Sequence, residues 1–365
     1  MTGAAISPAV EVTWPLYSCD DHLDLWALPP DLWESRLPER YRDQGPRVVD
    51  HDGVPSWLVG GVLSEMSGQR ARPRGALARA GLGDDDLRPS DPVKRLADMD
   101  LDGLQATVIY GPSIAGLALH DPELKAECWR VWNNWSAEFN SCSPDRLAVL
   151  PVLPTHDPAA AAAELERVAA LGHRGALVYC YEFRPWDRLW RAAESTGLPL
   201  SFHIGGSAGT LRLVEGSWEG TAYGAVVPMS LAEPFAVMVF SGALERHPGL
   251  TLVLAEAGLG WLPYFVNRMD GRMAKRASNK DYQLQQMPSE IFRRQVYVTF
   301  EEEQDGTSYL RMLGPERFMW ASDYPHVDST FPRSRQAIAE SLPGLDEAAC
   351  RALTADTCRR LYRFP

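Results

Sequence analysis

The chain lacks several features that would assign it to a specialised class of protein. Its six cysteines show no C-x-x-C spacing, so neither a zinc finger nor a disulfide scaffold is indicated, and we expect reduced thiols. The start of the chain has no basic segment followed by an apolar run, and no stretch approaches about eighteen unbroken apolar residues. We therefore expect a cytoplasmic protein without a membrane segment.

Positive charge is also scarce. Lys and Arg total 36 against 48 Asp and Glu, which gives a formal net charge of −12. This surplus repels phosphate backbones and anionic lipid headgroups, so nucleic acid and membranes are poor candidates for partners. Hydrophobic residues make up 45% of the 365 residues and aromatic residues 10%, which is enough for a full core. The expected partner is a small-molecule substrate.

Short β-prone runs alternate with longer helical patterns from about residue 100 onward, which is typical of βα units and a parallel sheet. The chain contains eight such runs in all: 14–20, 106–110, 147–153, 175–180, 199–204, 250–256, 295–301 and 318–323. They predict a (β/α)8 TIM barrel, in a single domain that covers residues 1–365. Residues from about 31 to 100 break the rhythm and are expected to form a cap inserted between strands 1 and 2. Residues 206–230 form a second insertion.

Tryptophan recurs at a regular spacing in one predicted helix. Trp129, Trp132 and Trp135 recur at a spacing of three residues, so they lie near one face of a helix that begins at Asp121-Pro122. Core packing explains them, and so does a contact with a ligand or a second subunit. Because this helix and the terminal segment 359–364 can present apolar surface, we expect a homodimer.

Polar side chains stand at or just beyond the ends of several runs. In a parallel barrel the carboxyl ends of all strands open on one face, so residues distant in the sequence converge there. The residues concerned are Asp20, His22, Asp24, His203, Glu256, Glu301, Glu302, Asp323 and His326. Two imidazoles and two carboxylates from strands 1, 5 and 8 make a mixed nitrogen and oxygen site suited to Zn²⁺, with Mn²⁺ or Fe²⁺ as alternatives. The one-residue gap in Asp20-x-His22 puts both side chains on the same side of a strand.

Motifs in a fixed order extend this pattern along the chain. They are Asp20-Asp-His22, Pro144-Asp-Arg-Leu147, Phe202-His203, Ser241-Gly-Ala-Leu-Glu-Arg-His-Pro248, Gly260-Trp-Leu-Pro-Tyr264 and Trp320-Ala-Ser-Asp-Tyr-Pro-His326. In this order they resemble the amidohydrolase-related family of the amidohydrolase superfamily, the group that includes aminocarboxymuconate semialdehyde decarboxylase. The resemblance covers essentially the whole predicted barrel.

The resemblance implies a divalent metal held by residues that match the family by position. These are Asp20, His22, His203 and Asp323. The family ends strand 1 with H-x-H or E-x-H, so Asp20 departs in residue type but keeps the charge of the second form. The resemblance also implies that Asp323 accepts a proton from metal-bound water, which a divalent ion makes more acidic.

Glu256 stands where the decarboxylases of this family carry a histidine after strand 6. If Asp20 and Asp323 neutralise the metal, an ionised Glu256 leaves the site net negative, and a carboxylate substrate is repelled unless an arginine or His326 compensates. Hydrolysis of a neutral amide, lactam or ester meets no such objection, because Glu256 can protonate the leaving group. We therefore expect a metal-dependent hydrolase that uses metal-activated water, with Asp323, Glu256 and His326 as catalytic residues.

Two other functions stay open: a metal-dependent, non-oxidative decarboxylase of an aromatic or unsaturated acid, and a non-catalytic barrel that binds a small molecule. Glu256 also fits a role in orienting a ligand histidine. His326 fits an acid, a substrate clamp or a packed loop residue. Glu301 and Glu302 are adjacent, so at most one of them faces the centre, and a salt bridge or solvent is the expected fate of either.

The inserted segments give the only indication of the substrate. They offer Trp57, Met66, Trp218 and Tyr223 to a pocket, which favours an apolar or aromatic small molecule.

Overall fold

The computed structural model describes residues 11–68, 75–83, 87–112, 118–179, 186–205, 211, 217–276, 284–303 and 306–365. Within these ranges, the strands of the barrel are β1 (Leu16–His22), β5 (Leu104–Tyr110), β6 (Leu147–Val149), β7 (Ala176–Leu177), β8 (Leu200–His203), β9 (Leu252–Ala255), β10 (Val296–Phe300) and β11 (Phe318–Trp320). An antiparallel sheet between β1 and β5 contains β2 (Arg47–His51), β3 (Val54–Val59) and β4 (Val62–Met66).

The barrel strands are parallel and follow one another in chain order around a ring. β1 pairs with β5 and β5 with β6, while β7 to β11 form a second set of neighbours. Just beyond β6, Val152 makes a parallel bridge to Leu177, which joins the two sets. On the opposite side, the amide of Asp323 donates a hydrogen bond of 2.9 Å to the carbonyl of Asp20. The ring is thereby complete, and the prediction of a (β/α)8 barrel is confirmed.

The observed strands differ in length from the runs that predicted them. β1 continues to His22, so both residues of the Asp20-x-His22 pair lie inside the strand. The run 147–153 gives only a three-residue strand, because Pro151 has no N–H to donate to a ladder. The run 175–180 gives β7, and Cys180 lies outside the described residues.

Helices occupy the connections between the strands. In chain order they are α1 (Glu39–Arg42), α2 (Ala76–Arg79), α3 (Pro92–Asp102), α4 (Pro122–Ser141), α5 (Pro158–Ala170), α6 (Asp187–Thr196), α7 (Trp218–Val226), α8 (Ala232–Phe240), α9 (Ala243–Arg246), α10 (Leu262–Arg276), α11 (Pro288–Gln295), α12 (Gly306–Leu313), α13 (Ser334–Ser341), α14 (Glu347–Arg351) and α15 (Thr357–Leu361). The start of α4 is fixed by Asp121, whose side chain accepts hydrogen bonds from the amides of Glu123 and Leu124.

The tryptophans of α4 belong to the core. Trp132 is fully buried and its indole N–H donates to the carbonyl of Leu150 at 3.1 Å, while Trp129 and Trp135 are also buried. At the end of the chain, Tyr362 and Phe364 are buried as well. Because one chain already covers these side chains, the homodimer prediction loses the surface on which it was based.

The stretch Trp218–Phe240, which includes α7 and α8, is helical over 23 residues and is long and apolar enough to cross a membrane. Length and composition alone are weak evidence for a span. α7 has no buried residue, whereas α8 buries Pro234, Phe235, Met238 and Val239. The second half of the stretch is therefore anchored in the barrel core, as a packed helix is.

A small hydrophobic cluster connects the segment after β1 with the loop after β11. It contains Trp26, Ala27, Ala76, Leu77, Tyr324 and Phe331. Nearby, the amide of Gly68, just after β4, donates to the carbonyl of Trp26 at 2.7 Å. These contacts hold α2 and the end of β4 next to the loop that carries Asp323 and His326.

Candidate metal centre

Four side chains from the ends of β1, β8 and β11 converge in the barrel mouth. His22 Nε2 lies 3.1 Å from Asp323 Oδ1 and 3.4 Å from Asp20 Oδ1. His203 Nε2 lies 3.3 Å from the same Asp20 oxygen. All four residues are buried. The structure thus brings together the four residues that the sequence selected as ligands.

The unsatisfied atoms of this cluster fit a cation. Within the described part of the chain, His22 Nε2 and Asp323 Oδ1 are buried and make no hydrogen bond. His203 Nδ1 lies 2.8 Å from the carbonyl oxygen of Ile204, so this nitrogen carries the proton and the lone pair of Nε2 faces the cluster. Buried polar atoms that converge without a hydrogen-bond partner are costly, and a divalent cation with nitrogen and oxygen ligands removes that cost.

Two residues of the site have a left-handed backbone that side chains rarely adopt. Glu256 has φ 54° and Asp323 has φ 59°. Such a conformation costs on the order of 1–3 kcal/mol and persists only where the surroundings fix it. Here the amide of Asp323 donates to Asp20, and the amide of Glu256 donates to the Thr299 hydroxyl at 2.6 Å. The strain is thus stored where side chains must leave a strand end and turn into the mouth.

Thr299 is a site residue that the sequence did not single out. Its hydroxyl donates to Asp20 Oδ2 at 2.8 Å while it accepts the amide of Glu256. One hydroxyl therefore positions a proposed ligand from β1 and the turn after β9. A threonine among the β-branched residues of β10 gave no signal, because strands favour threonine for its shape alone.

Asp21 was also missed, although it stands between two of the proposed ligands. Its carboxylate accepts hydrogen bonds from Thr107 at 2.6 Å and Ser18 at 2.7 Å, and the Arg95 guanidinium lies 3.2 Å away. Arg95 is fully buried and also donates to the carbonyl oxygen of His22 at 2.9 Å. This buried pair connects α3 to β1 directly beneath the cluster.

His326 lies between two carboxylates beside the cluster. Its Nδ1 is 2.9 Å from Asp323 Oδ2 and its Nε2 is 2.8 Å from Asp24 Oδ2. Burial lowers the pKa of His326, but Asp323 and Asp24 outweigh this effect and hold that pKa well above its ordinary value. Asp24, chosen from the sequence only as a strand-end polar residue, thus becomes the partner of His326.

The remaining glutamates lie just beyond the ends of β9 and β10. Glu256 Oε2 lies 3.4 Å from His203 Nε2 and 3.9 Å from His22 Nε2, at the edge of the cluster. Glu301 also faces the cluster, in a group with Glu256 and Asp323, whereas Glu302 is exposed. The expectation that at most one of the two adjacent glutamates faces the centre is correct, and the one that does so is Glu301.

The crowding of charges shifts the titration of these groups. Burial and the His326 imidazole lower the pKa of His22, but the carboxylates of Asp20 and Asp323 outweigh them and raise it to about 9. Burial raises the pKa of Asp20, but His203 and His22 outweigh it and hold that pKa well below the usual range. Burial, with the Asp323 carboxylate, raises the pKa of Glu256 to about 8.

The aromatic residues near the cluster differ from the set that the sequence predicted. Trp57 is fully buried and packs edge-on against Trp33 at 5.5 Å between ring centroids, so it belongs to the core and does not line a pocket. Tyr110, at the end of β5, was missed, and its ring centroid lies 4.7 Å from that of His203. Burial raises the pKa of Tyr223, and the carboxylate of Glu256 adds to this, as expected for a phenol close to the cluster.

Comparison with known proteins identifies relatives along nearly the whole chain. A family model described as Amidohydrolase matches residues 19–364. A gamma-resorcylate decarboxylase from Rhodococcus jostii is 28% identical over 254 residues, which cover 63% of this chain and 76% of that protein.

Solved structures with the same fold include an amidohydrolase from Mycobacterium avium subsp. paratuberculosis, with a TM-score of 0.78 and 20% identity, covering 96% of this chain and 98% of that one. A dihydroxybenzoic acid decarboxylase from Polaromonas, solved with bound manganese and the inhibitor 2-nitroresorcinol, has a TM-score of 0.66 and 19% identity, covering 96% of this chain and 97% of that one.

These relatives contradict the expected hydrolysis of an amide, lactam or ester. The curated proteins that match are decarboxylases, so the alternative drawn from the sequence is the better one. The sequence argument failed because it took Glu256 to be ionised. Desolvation and the nearby Asp323 carboxylate raise the pKa of Glu256 to about 8, and a protonated Glu256 adds no negative charge that would repel an acid. The role of Glu256 as the acid of a hydrolase falls with that function.

Proposed function

Because the chain belongs to the amidohydrolase family, we propose that it is a metal-dependent, non-oxidative decarboxylase of an aromatic acid. The observation that carries this proposal is the set of four gamma-resorcylate decarboxylases that match 63–64% of the chain. The barrel supports it independently, since its strand ends gather the buried imidazoles and carboxylates that such chemistry requires.

In this proposal Asp20, His22, His203 and Asp323 hold one divalent cation. Their unsatisfied buried atoms and the fixed tautomer of His203 support the assignment. The mixed nitrogen and oxygen ligand set suits Mn²⁺ as well as the Zn²⁺ expected from the sequence, and manganese is the ion bound in the Polaromonas decarboxylase. When bound, a divalent cation polarises substrate oxygens and stabilises the negative charge that develops on them.

The reaction replaces the carboxylate of the acid by a proton on the same ring carbon and releases CO₂. The carbon–carbon bonding pair stays on the ring and then binds the incoming proton. We assign the delivery of this proton to His326 and Asp323. Each nitrogen of His326 lies within hydrogen-bond distance of a carboxylate, Nδ1 of Asp323 and Nε2 of Asp24. An ionised carboxylate can only accept hydrogen bonds, and a neutral imidazole has only one N–H to donate. His326, Asp323 and Asp24 together must therefore hold one additional proton.

Asp24 orients His326 from the side that faces the mouth. Its side chain is 21% exposed, so it can renew the proton from solvent after each turnover. Asp323 is 1% exposed and holds the opposite nitrogen of the ring. In this proposal the proton moves inward from solvent to Asp24, then to His326, and then towards Asp323.

We propose that the described segment around Trp26 and helix α7 cover the mouth of a single catalytic domain and position the acid beside His326. Support comes from the cluster of Trp26 and Phe331, which joins the first segment to the loop of Asp323, and from the position of Tyr223 near Glu256.

A direct assay tests the proposed function. Protein loaded with Mn²⁺ or Zn²⁺ is incubated with 2,6-dihydroxybenzoate, other hydroxybenzoates and 5-carboxyvanillate, and the release of CO₂ and the matching phenol are measured together. We expect release from at least one acid, and its loss after chelation and in His203→Ala. Metal-loaded protein that releases no CO₂ from any of these acids would refute the proposal.

A further inference from the structure

The side chain of Tyr324, the residue after Asp323, is buried against the inserted segment and not in the barrel mouth. It is 3% exposed, and its hydroxyl donates a hydrogen bond of 2.6 Å to Asp98 Oδ2 on α3. We propose that Tyr324 is a positioning residue of the candidate metal centre, because its anchored side chain fixes the turn that directs Asp323 into the mouth. The inference rests on the ligand set of the proposed function and not on the acid that is decarboxylated.

The acceptor of this hydrogen bond is itself held in place from a second side. Asp98 is buried, and Arg88 Nη2 donates to Asp98 Oδ1 at 2.7 Å. Arg88 Nε lies 2.9 Å from both oxygens of the same carboxylate. Because the planar guanidinium contacts a carboxylate at several points, it orients the carboxylate as well as neutralising its charge. The Tyr324 hydroxyl therefore meets an oxygen whose position is set by α3 and the residues before it.

The ring of Tyr324 is also held along its length. The Arg95 guanidinium lies 4.8 Å from the ring centroid, and the ring of Phe331 packs edge-on with 5.0 Å between centroids. A cation over an aromatic face and an edge-to-face pair of rings are both favourable arrangements. Arg95 is in turn fixed by Asp21, at 3.2 Å. The side chain is thus fixed from its hydroxyl to its attachment on the backbone.

The backbone of Tyr324 connects this anchor to the metal centre. Its amide donates to Asp21 Oδ1 at 3.3 Å, and its carbonyl accepts from the amide of His22 at 2.7 Å. One residue earlier, Asp323 has φ 59°, a conformation that persists only where the surroundings fix it. Two residues later, the amide of His326 donates to the carbonyl of Asp323 at 2.9 Å. A shift of Tyr324 would therefore move Asp323 and His326 together.

The hydroxyl is the part of Tyr324 that packing alone does not require. The hydrophobic cluster around it, with Trp26 and Phe331, would accept a phenylalanine ring of the same shape. Without the hydroxyl, Asp98 keeps its contacts with Arg88, so no unpaired buried charge is left behind. Replacement of Tyr324 by Phe therefore tests the position of the turn with little other disturbance.

Metal affinity of Tyr324→Phe tests the proposal, with Tyr41→Phe as a matched control. Tyr41 is also buried and its hydroxyl also donates to a carboxylate, that of Glu123 at 3.0 Å, but this bond joins α1 to α4. The full chain, stripped of metal, is titrated with Mn²⁺ in competition with a fluorescent chelator. We expect Tyr324→Phe to bind Mn²⁺ about 10-fold more weakly, and Tyr41→Phe to match the unmodified chain. Equal affinity in Tyr324→Phe and the unmodified chain, or equal weakening in both variants, would overturn the proposal.

A double-mutant cycle with Asp98→Asn tests the route from the hydroxyl to the metal centre. If Tyr324 acts through Asp98, the two changes remove one interaction, and their effects on Mn²⁺ affinity should not add. The double variant should then bind Mn²⁺ no more weakly than the more affected single variant. Losses that multiply would show that the hydroxyl acts without Asp98, against the proposal.

Hydrogen exchange of the metal-free chain separates this inference from the proposed function. We expect residues 320–331 to exchange faster in Tyr324→Phe than in the unmodified chain, and at the unmodified rate in Tyr41→Phe. Unaltered exchange in Tyr324→Phe would overturn the inference even if the protein decarboxylates an aromatic acid. Faster exchange together with weaker Mn²⁺ binding, but no CO₂ release by the unmodified chain, would support the inference and refute the function.

Discussion

The imidazole rings of His22 and His326 are stacked, with centroids 4.0 Å apart and planes inclined by 26°. His22 directs Nε2 towards Asp323 and is itself a proposed ligand, whereas the two nitrogens of His326 face Asp323 and Asp24. The stack therefore joins a proposed metal ligand to the proposed proton carrier. Changes on one side of it are expected to affect the other through position as well as charge.

Replacement of Asp24 by Asn tests the orientation of His326. The amide keeps the shape of the carboxylate but not its charge, so the pKa of His326 should fall. As the pH is raised, activity that needs the charged imidazole of His326 should then disappear at a lower pH than in the unmodified protein. We expect kcat to fall about 10- to 100-fold with bound metal unchanged. Asp31→Asn, at an exposed position of the same segment, is the control and should match the unmodified protein. An unaltered pH profile in Asp24→Asn would remove His326 from the proton path.

Thr299→Val removes one hydroxyl with little change of volume. It leaves Asp20 Oδ2 and the amide of Glu256 without their shared partner, so the metal should bind about 10- to 100-fold more weakly. Competition with a fluorescent chelator measures the affinity. Thr221→Val, at an exposed position of α7, should have no effect. Equal affinity in Thr299→Val and the unmodified chain would mean that the hydroxyl does not position the ligand.

Arg95→Met should destabilise the fold by about 3–5 kcal/mol, because it leaves the buried carboxylate of Asp21 without a counter-charge. Adding Asp21→Asn should recover part of this loss, since the remaining group is then neutral. Urea unfolding of the metal-free protein measures both variants. A double variant that is less stable than Arg95→Met alone would show that Asp21 does not depend on this pair.

The stability of the metal-free protein should fall as the pH rises from about 4.5 to about 9. Over the lower part of this range, folded Glu256 keeps a proton that the unfolded chain has lost, because burial raises its pKa to about 8. Over the upper part, His22 does the same, because Asp20 and Asp323 raise its pKa to about 9. The folded state binds more protons in both cases, so raising the pH favours unfolding.

Thermal melting between pH 5 and pH 9, with and without Mn²⁺, measures this effect. The metal-loaded protein should show a flatter profile, since a cation takes the place of the protons. Calorimetry at pH 7 in buffers of different ionisation enthalpy should also show proton release when Mn²⁺ binds, mainly from His22. Identical heats in all buffers would contradict the raised pKa of His22.

The sequence by itself determined the barrel and the proposed ligands. Eight apolar runs in a βα rhythm specify a parallel barrel, and in that fold every strand ends on one face. Asp20, His22, His203 and Asp323 could be grouped from their places at strand ends without any distance, because topology alone brings such positions together. The same logic selected His326 and Asp24, but it did not predict that these two residues contact each other.

Only the tertiary structure decided the charges and partners of these groups. The sequence could not show that Asp21 pairs with Arg95, that Thr299 joins Asp20 to the turn of Glu256, or that Trp57 lies in the core. The error about hydrolysis has the same origin. Whether Glu256 is ionised depends on how deeply it is buried and how close Asp323 lies. Electrostatic energy varies with distance and solvent exposure, and a linear order of residues carries neither.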